Sequence, residues 1–93
     1  MSVTVKVPTQ LRVLTQGEAE VAVQADTVRS AIDALENRFP GLSSRLLDES
    51  GSLRRFVNLY VDDEDVRFLR GLDTEVADGG RLAIIPAVAG GGV

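Results

Sequence analysis

The stretch Asp26-Thr27-Val28-Arg29-Ser30-Ala31-Ile32-Asp33-Ala34-Leu35-Glu36-Asn37-Arg38-Phe39-Pro40-Gly41 is where the chain changes its period. Val28, Ala31, Ile32, Leu35 and Phe39 recur at i, i+3, i+4, i+7 and i+11, which places them on one stripe of an α-helix. Asp26 or Thr27 supplies the N-cap, because its side-chain oxygen accepts from a first-turn N–H that has no partner inside the helix. Pro40-Gly41 stops the helix. On the N-terminal side the period is two. Val3, Val5 and Val7 alternate with Thr4 and Lys6 until Pro8, which has no N–H to give a strand ladder. Thr15-Gln16-Gly17 makes a turn, and Glu18–Gln24 alternates again with Ala19, Val21 and Val23 facing one way. The two runs predict a β-hairpin with a loose connection around Leu11–Leu14.

On the C-terminal side, Leu42–Leu47 adds a short helical turn whose Leu42, Leu46 and Leu47 close one end of the core. Phe56–Val61 is the strongest strand: Val57, Leu59 and Val61 share one face, Phe56, Asn58 and Tyr60 the other, which predicts an interior place in a sheet. Asp62-Asp63-Glu64-Asp65 makes a turn, and Val66-Arg67-Phe68 is expected to return as a short strand. Gly71 and Asp78-Gly79-Gly80 punctuate the next connection. Leu82-Ala83-Ile84-Ile85 forms the last strand and ends at Pro86. The order β-β-α-β-β-β, with one helix across one face of the sheet, is an α+β half-barrel. Residues 1–86 form one domain, and residues 87–93 a flexible tail.

Composition narrows the function. The chain has 93 residues, a net charge of −4, and neither Cys nor His. Thiol nucleophiles, imidazole acid–base chemistry and zinc sites of the usual kind are therefore excluded, and no metal site is expected. If the chain takes part in catalysis it does so as a substrate or carrier, not as an enzyme. The acidic balance argues against nucleic acid, which requires a basic patch. The N-terminus has no apolar signal-peptide core, and the longest apolar stretch, Leu82–Val93, is broken by Pro86 and glycines and falls short of the ~20 residues that span a bilayer. A cytoplasmic protein without membrane partners is expected. The acidic run lacks the Gly and Glu of a calcium loop, having Arg67 and Asp73 in their places. Arg54-Arg55 is too little charge for a polyanion, and Arg67, Arg70 and Arg81 read as scattered surface residues. The whole −4 comes from residues 47–93, a field that would steer a partner with a basic surface.

The tail, Ala87-Val88-Ala89-Gly90-Gly91-Gly92-Val93, follows directly on a strand expected to be central. From Ala87 to Gly91 it spans at most about 17 Å at ~3.3–3.6 Å per residue. That reach puts a terminal carboxylate into a recessed active site of another protein while the body stays outside. Glycine fits a narrow channel because it has no Cβ, at an ordering cost of ~0.5–1 kcal/mol per residue relative to Ala. Docking of the body must offset that cost.

The run Arg55-Phe56-Val57-Asn58-Leu59-Tyr60-Val61, the Asp62–Val66 turn, Gly71-Leu72-Asp73-Thr74, Asp78-Gly79 and the ending Pro86-Ala87-Val88-Ala89-Gly90-Gly91 together resemble the ubiquitin-like sulfur-carrier family, the MoaD/ThiS-like proteins. Within it, the length and the run from Phe56 to Phe68 are most similar to the actinobacterial carriers of cysteine biosynthesis. The resemblance implies a β-grasp fold and a mechanism. A ubiquitin-activating-enzyme-like adenylyltransferase/sulfurtransferase uses ATP to adenylate the carboxyl of Gly91, and a sulfur donor displaces AMP to leave a thiocarboxylate. The sulfur then passes to an acceptor on a PLP-dependent cysteine synthase, and a zinc-dependent JAMM-type protease releases the cysteine. The chain itself binds no cofactor. Pro86, Ala87, Val88, Ala89 and Gly90 serve as the arm, and Gly92 is the alternative terminus that fits the pattern less well. Two other readings stand beside this one: the small subunit of molybdopterin synthase, and a ubiquitin-like modifier joined through Gly91 to lysines.

The chain departs from the family pattern in two ways. The family ends at Gly-Gly, so Gly92 and Val93 are expected to be removed before activation, a β-branched end being too wide for a channel shaped for glycine. Gly80 stands where relatives often carry Asp, and only a local change in that turn is expected. The alternation of the last strand puts Ile85 outward beside the tail, where Phe68 or Leu69 would complete an apolar patch for a partner. Intact-mass measurement on protein from its native organism is expected to show a chain ending at Gly91. A thiocarboxylate carried on Val93 would refute the processing step.

Overall fold

In the computed structural model, which describes residues 1–86, the N-terminal alternation forms β1 (Ser2–Lys6) and β2 (Glu20–Gln24). They pair antiparallel with Val3 opposite Val23 and Val5 opposite Val21, so four valines line one face. The 3.6-residue stripe forms α1 (Val28–Arg38). Its N-cap is Thr27 in a capping box: the Thr27 hydroxyl oxygen accepts from Ser30 N–H at 3.1 Å, and Ser30 Oγ accepts from Thr27 N–H at 3.0 Å. Two donors that the helix cannot satisfy internally are paired reciprocally. After Phe39 the chain turns through Gly41, whose φ of +100° is open to glycine at little cost, into the one-turn α2 (Ser43–Leu46). The Glu36 carboxylate fastens this corner by accepting from the N–H groups of Gly41 and Ser43, at 2.8 Å from the latter. These backbone donors, Gly41 first, hold its pKa below the ordinary glutamate value.

Three more strands complete the sheet: β3 (Val57–Val61), β4 (Glu64–Asp65) and β5 (Arg81–Pro86). The spatial order is β2-β1-β5-β3-β4, with β5 parallel to β1 and antiparallel to β3. The last strand in sequence is thus the central strand in space, and β3 is interior, as its two-sided pattern predicts. α1 lies across one face. Between helix and sheet, Val3, Val5, Val21, Ile32, Leu35, Leu42, Leu46, Leu59 and Leu82 are essentially inaccessible to water. Each such leucine contributes about 1.5–3 kcal/mol by leaving water, and truncation to Ala leaves a cavity that raises the cost to about 2–5 kcal/mol.

Three local expectations are corrected. The returning strand is Glu64–Asp65, and Val66–Phe68 is a 3₁₀ turn. Asp62 and Asp63 both take positive φ, +48° and +75°, the backbone of a two-residue hairpin loop, so the chain reverses earlier than the acidic run suggests. The Asp65 carboxylate then accepts from Arg67 N–H at 2.8 Å and curls the chain out of the ladder. The connection near Leu11 is not loose: Thr9–Leu11 is a 3₁₀ turn, and Thr15 is buried with its hydroxyl donating to Glu18 C=O at 2.9 Å. Ala19 is exposed and precedes β2 rather than sharing the face of Val21.

The turn before β5 is tied to both ends of the fold. Ser2 N–H donates to Asp78 Oδ1 at 2.7 Å, Gly79 N–H to Ser2 C=O, and Thr4 N–H to Gly80 C=O. Gly80 is buried, and a Cβ there would stand 2.8 Å from the Ala77 carbonyl oxygen and 2.9 Å from Val76 Cγ1. A side chain at this position therefore has to move the backbone of the same turn. Gly80→Ala is expected to lower stability by about 1–3 kcal/mol, measured by urea denaturation. A loss below that range would show that the turn yields freely.

Candidate functional site at the open sheet face

Because side chains alternate along a strand, the residues that do not face α1 collect on the other side of the sheet. That face carries Lys6 on β1, Asn58 and Tyr60 on β3, and Ala83 and Ile85 on β5, and neither helix covers it. A shallow depression of about 350 Å³ lies there, lined by Lys6, Tyr60, Arg81, Ala83 and Ile85 together with the Asp62-Asp63 loop. Ile85 is 46% exposed although it sits on the central strand, while its neighbour Ile84 on the core face is 3% exposed. The strand's alternation thus puts Ile85 outward, where the sequence reading placed it.

The register of β5 decides where the tail leaves. Pro86 pairs with Val57 and Ile85 with Asn58, so the chain exits at the beginning of β3. Immediately before Val57 stand Arg54, Arg55 and Phe56, and Phe56 is 57% exposed. The Arg55 guanidinium lies over the Phe56 ring, 5.6 Å from its centre. Arg67, from the 3₁₀ turn after β4, reaches back to the same place. Its guanidinium donates to Asn58 Oδ1 at 2.6 Å and to Arg54 C=O at 2.9 Å. Phe68 and Leu69 follow it, both exposed, so the turn that carries them is pinned beside Asn58, the cross-strand neighbour of Ile85.

Ile85, Phe68 and Leu69 are therefore all open to solvent. Pro86 is the last described residue, and Ala87, Val88, Ala89, Gly90, Gly91, Gly92 and Val93 lie outside the described residues. Sequence reasoning missed Phe56, which it assigned to the interior strand, and it treated Arg54, Arg55 and Arg67 as unrelated. The available signal was the antiparallel partnership of the two strongest strands, which brings the start of one to the end of the other. Among the described residues no group of His, Cys, Asp and Glu is arranged to hold a metal ion, and no helix is long and apolar enough to cross a membrane.

Comparison with known proteins gives three findings. The model of the ThiS family matches residues 5–91. The sulfur carrier protein CysO of Mycobacterium tuberculosis is 53% identical over 93 residues, covering 98% of this chain and 100% of the relative. Among solved structures, the Amycolatopsis orientalis BexX/CysO complex matches with a TM-score of 0.90 at 52% identity, covering 95% of this chain and 98% of the matched one. The crystal structure of SAMP1 from Haloferax volcanii matches with a TM-score of 0.81 at 31% identity, over 97% of this chain and 99% of that chain.

Ile85→Glu is expected to cost less than about 1 kcal/mol of stability, since the side chain is half in water already, and to weaken binding of the adenylating enzyme, the partner that the sequence leads one to expect on this face. Thermal denaturation beside a binding titration tests both. A cooperative unfolding loss as large as that of Ile84→Glu would assign Ile85 to the core.

Proposed function

The chain belongs to the ThiS family, and from that premise we propose that it is a sulfur carrier whose reactive group is the carboxyl of Gly91, serving cysteine biosynthesis. The observation that supports this most strongly is the family match running to residue 91, together with 53% identity to a sulfur carrier protein across the whole chain. A family match that stops at the second glycine of the tail, with Gly92 and Val93 beyond it, also supports removal of those two residues.

The chemistry follows from what a backbone carboxylate lacks. It is a poor acyl electrophile, so an adenylating enzyme must first convert it. One Gly91 carboxylate oxygen attacks the α-phosphorus of ATP, pyrophosphate leaves, and an acyl-adenylate remains. Sulfide then adds to the acyl carbon and AMP departs with the C–O electron pair, leaving a thiocarboxylate. No side chain of this protein is needed for either bond, in keeping with a composition free of Cys and His. The body contributes position: β5, hydrogen-bonded on both sides, holds the base of the arm in a fixed direction while the open face around Ile85 docks on the enzyme. In the same reading the thiocarboxylate sulfur adds to an acceptor held by a PLP-dependent cysteine synthase, the Gly91 acyl group shifts from that sulfur to the acceptor's amine to form an amide, and a zinc-dependent JAMM-type protease hydrolyses the amide to free the product.

The likeness to SAMP1, which by name is a small archaeal modifier protein, supports a second reading in which the activated Gly91 is joined to lysine amines of other proteins. The experiment is to incubate the chain ending at Gly91 with ATP, sulfide and the adenylating enzyme of the same organism, and to weigh it. A mass gain equal to one oxygen-to-sulfur exchange at the C-terminal residue is the expected result. Gly-Gly remnants on cellular lysines without any such exchange would replace the carrier reading by the modifier one.

A further inference from the structure

We propose that Arg54, Arg55, Phe56 and Arg67 form a second docking element at the tail exit, one that grips carboxylate side chains around the mouth of the channel of the adenylating enzyme. The inference rests on the activation step proposed above and goes beyond it by assigning contact residues and the chemistry of their partner.

The adjacent Arg54 and Arg55 are joined here by Arg67, thirteen residues beyond Arg54, which the fold brings back to them. Arg67 is fixed by its bonds to Asn58 and to the backbone of Arg54, and Arg54 Nε donates to Ser44 C=O at 3.0 Å. Arg55 is held against the ring of Phe56. A guanidinium carries five N–H donors, so each of the three has donors left over. Among the described residues none of them has a carboxylate within ion-pair distance, the one ion pair there joining Arg29 to Asp73 at 3.4 Å.

Of the carboxylates nearby, Asp48 has its pKa held below the ordinary aspartate value by hydrogen bonds from Ser50 and Ser52, with a smaller contribution from the Arg54 charge beyond ion-pair distance. Asp48 accepts from the backbone and hydroxyl of Ser50 and from Ser52 N–H, and Asp65 from Arg67 N–H. Glu49 is exposed on the same loop as Asp48. The acidic hairpin loop Asp62-Asp63 lies at the opposite end of β3, beside Arg81. The summed charge of the second half of the chain, which suggested a basic partner, therefore does not describe the end from which the tail departs.

Planar forks with unspent donors match carboxylates two bonds at a time, and they lose less freedom on pairing than a lysine does. A polyanion fits less well, since the rest of a chain of net charge −4 repels an extended run of phosphates, whereas three guanidinium groups suffice for a few carboxylates. Phe56, exposed at the centre of the group, supplies the apolar contact that turns a charged rim into an anchor. Grip at this point is mechanically apt because Val57 pairs with Pro86: a partner holding Phe56 and its arginines holds the base of the arm.

The test is pyrophosphate exchange from ATP by the adenylating enzyme, as a function of the concentration of the chain ending at Gly91. Arg55→Glu and Phe56→Ala are each expected to raise KM by about ten-fold with kcat little changed, because contacts remote from the reacting carboxyl act on binding. Arg29→Glu, at the other end of α1, is the control and leaves KM within about two-fold. Added salt is expected to raise KM for the wild-type chain more steeply than for Arg55→Glu. Thermal denaturation runs in parallel; if Arg55→Glu lowers Tm, Arg55→Ala decides, since it removes the fork without adding a charge. Unchanged KM in the folded variants, with normal exchange by the wild-type chain, overturns the proposal alone. Absence of exchange with the wild-type chain overturns the activation reading and this proposal with it.

Discussion

The pairing of β5 between β1 and β3 is the constraint from which the rest of the molecule follows. With parallel bonds to one neighbour and antiparallel bonds to the other, β5 exposes no edge, and its core-side residues Leu82 and Ile84 are sealed under α1. A strand so held cannot shift by one residue without turning those two side chains to water and Ile85 into the core. The register therefore fixes three things together: which residues are core, which face away from α1, and where residue 86 lies against the start of β3. The turn at Gly79 and Gly80 guards that register from the other end, because its bonds to Ser2 and Thr4 set the height at which β5 begins.

The capping box at Thr27 and the Glu36 clasp at the α1–α2 corner use side chains to satisfy backbone groups, which lets so small a chain enclose a core. The opposite face of the sheet is left uncovered. An exposed isoleucine on a central strand is ordinarily a liability, and here it adjoins a depression and a pinned turn carrying two further exposed apolar residues. The rigid base and the open face meet at the end of β5, where Ile85 and Pro86 pair with the start of β3.

Much of this architecture is legible in the sequence, for physical reasons. The change of period at Val28, the N-cap at Thr27 and the stop at Pro40-Gly41 are local signals, and local signals set local backbone geometry. The two-sided pattern of Phe56–Val61 reports an interior strand because both of its faces meet protein or a partly covered surface. What failed was also local in appearance: Val66-Arg67-Phe68 looks like a strand by composition, yet the positive φ of Asp62 and Asp63 and the bond from Arg67 N–H to Asp65 end the ladder first. Aspartate tolerates that backbone through its short polar side chain, and an acidic run does not advertise it. Thr15 is likewise a polar residue made buriable by its hydroxyl's contacts with the Glu18 and Arg12 carbonyls, which no periodicity announces.

Composition, period and the glycine-rich ending were enough to determine that this chain is a small α+β body, free of Cys and His, that carries a tail resembling those of sulfur carriers. Those properties belong to single residues or to neighbours a few positions apart, so reading along the chain captures them. The meeting of Arg54, Arg55 and Phe56 with Arg67 and with the end of β5 was decided only by the tertiary structure. It arises from strand register and from a side chain reaching across a turn, and a linear sequence does not record the distance between residues that only folding brings together.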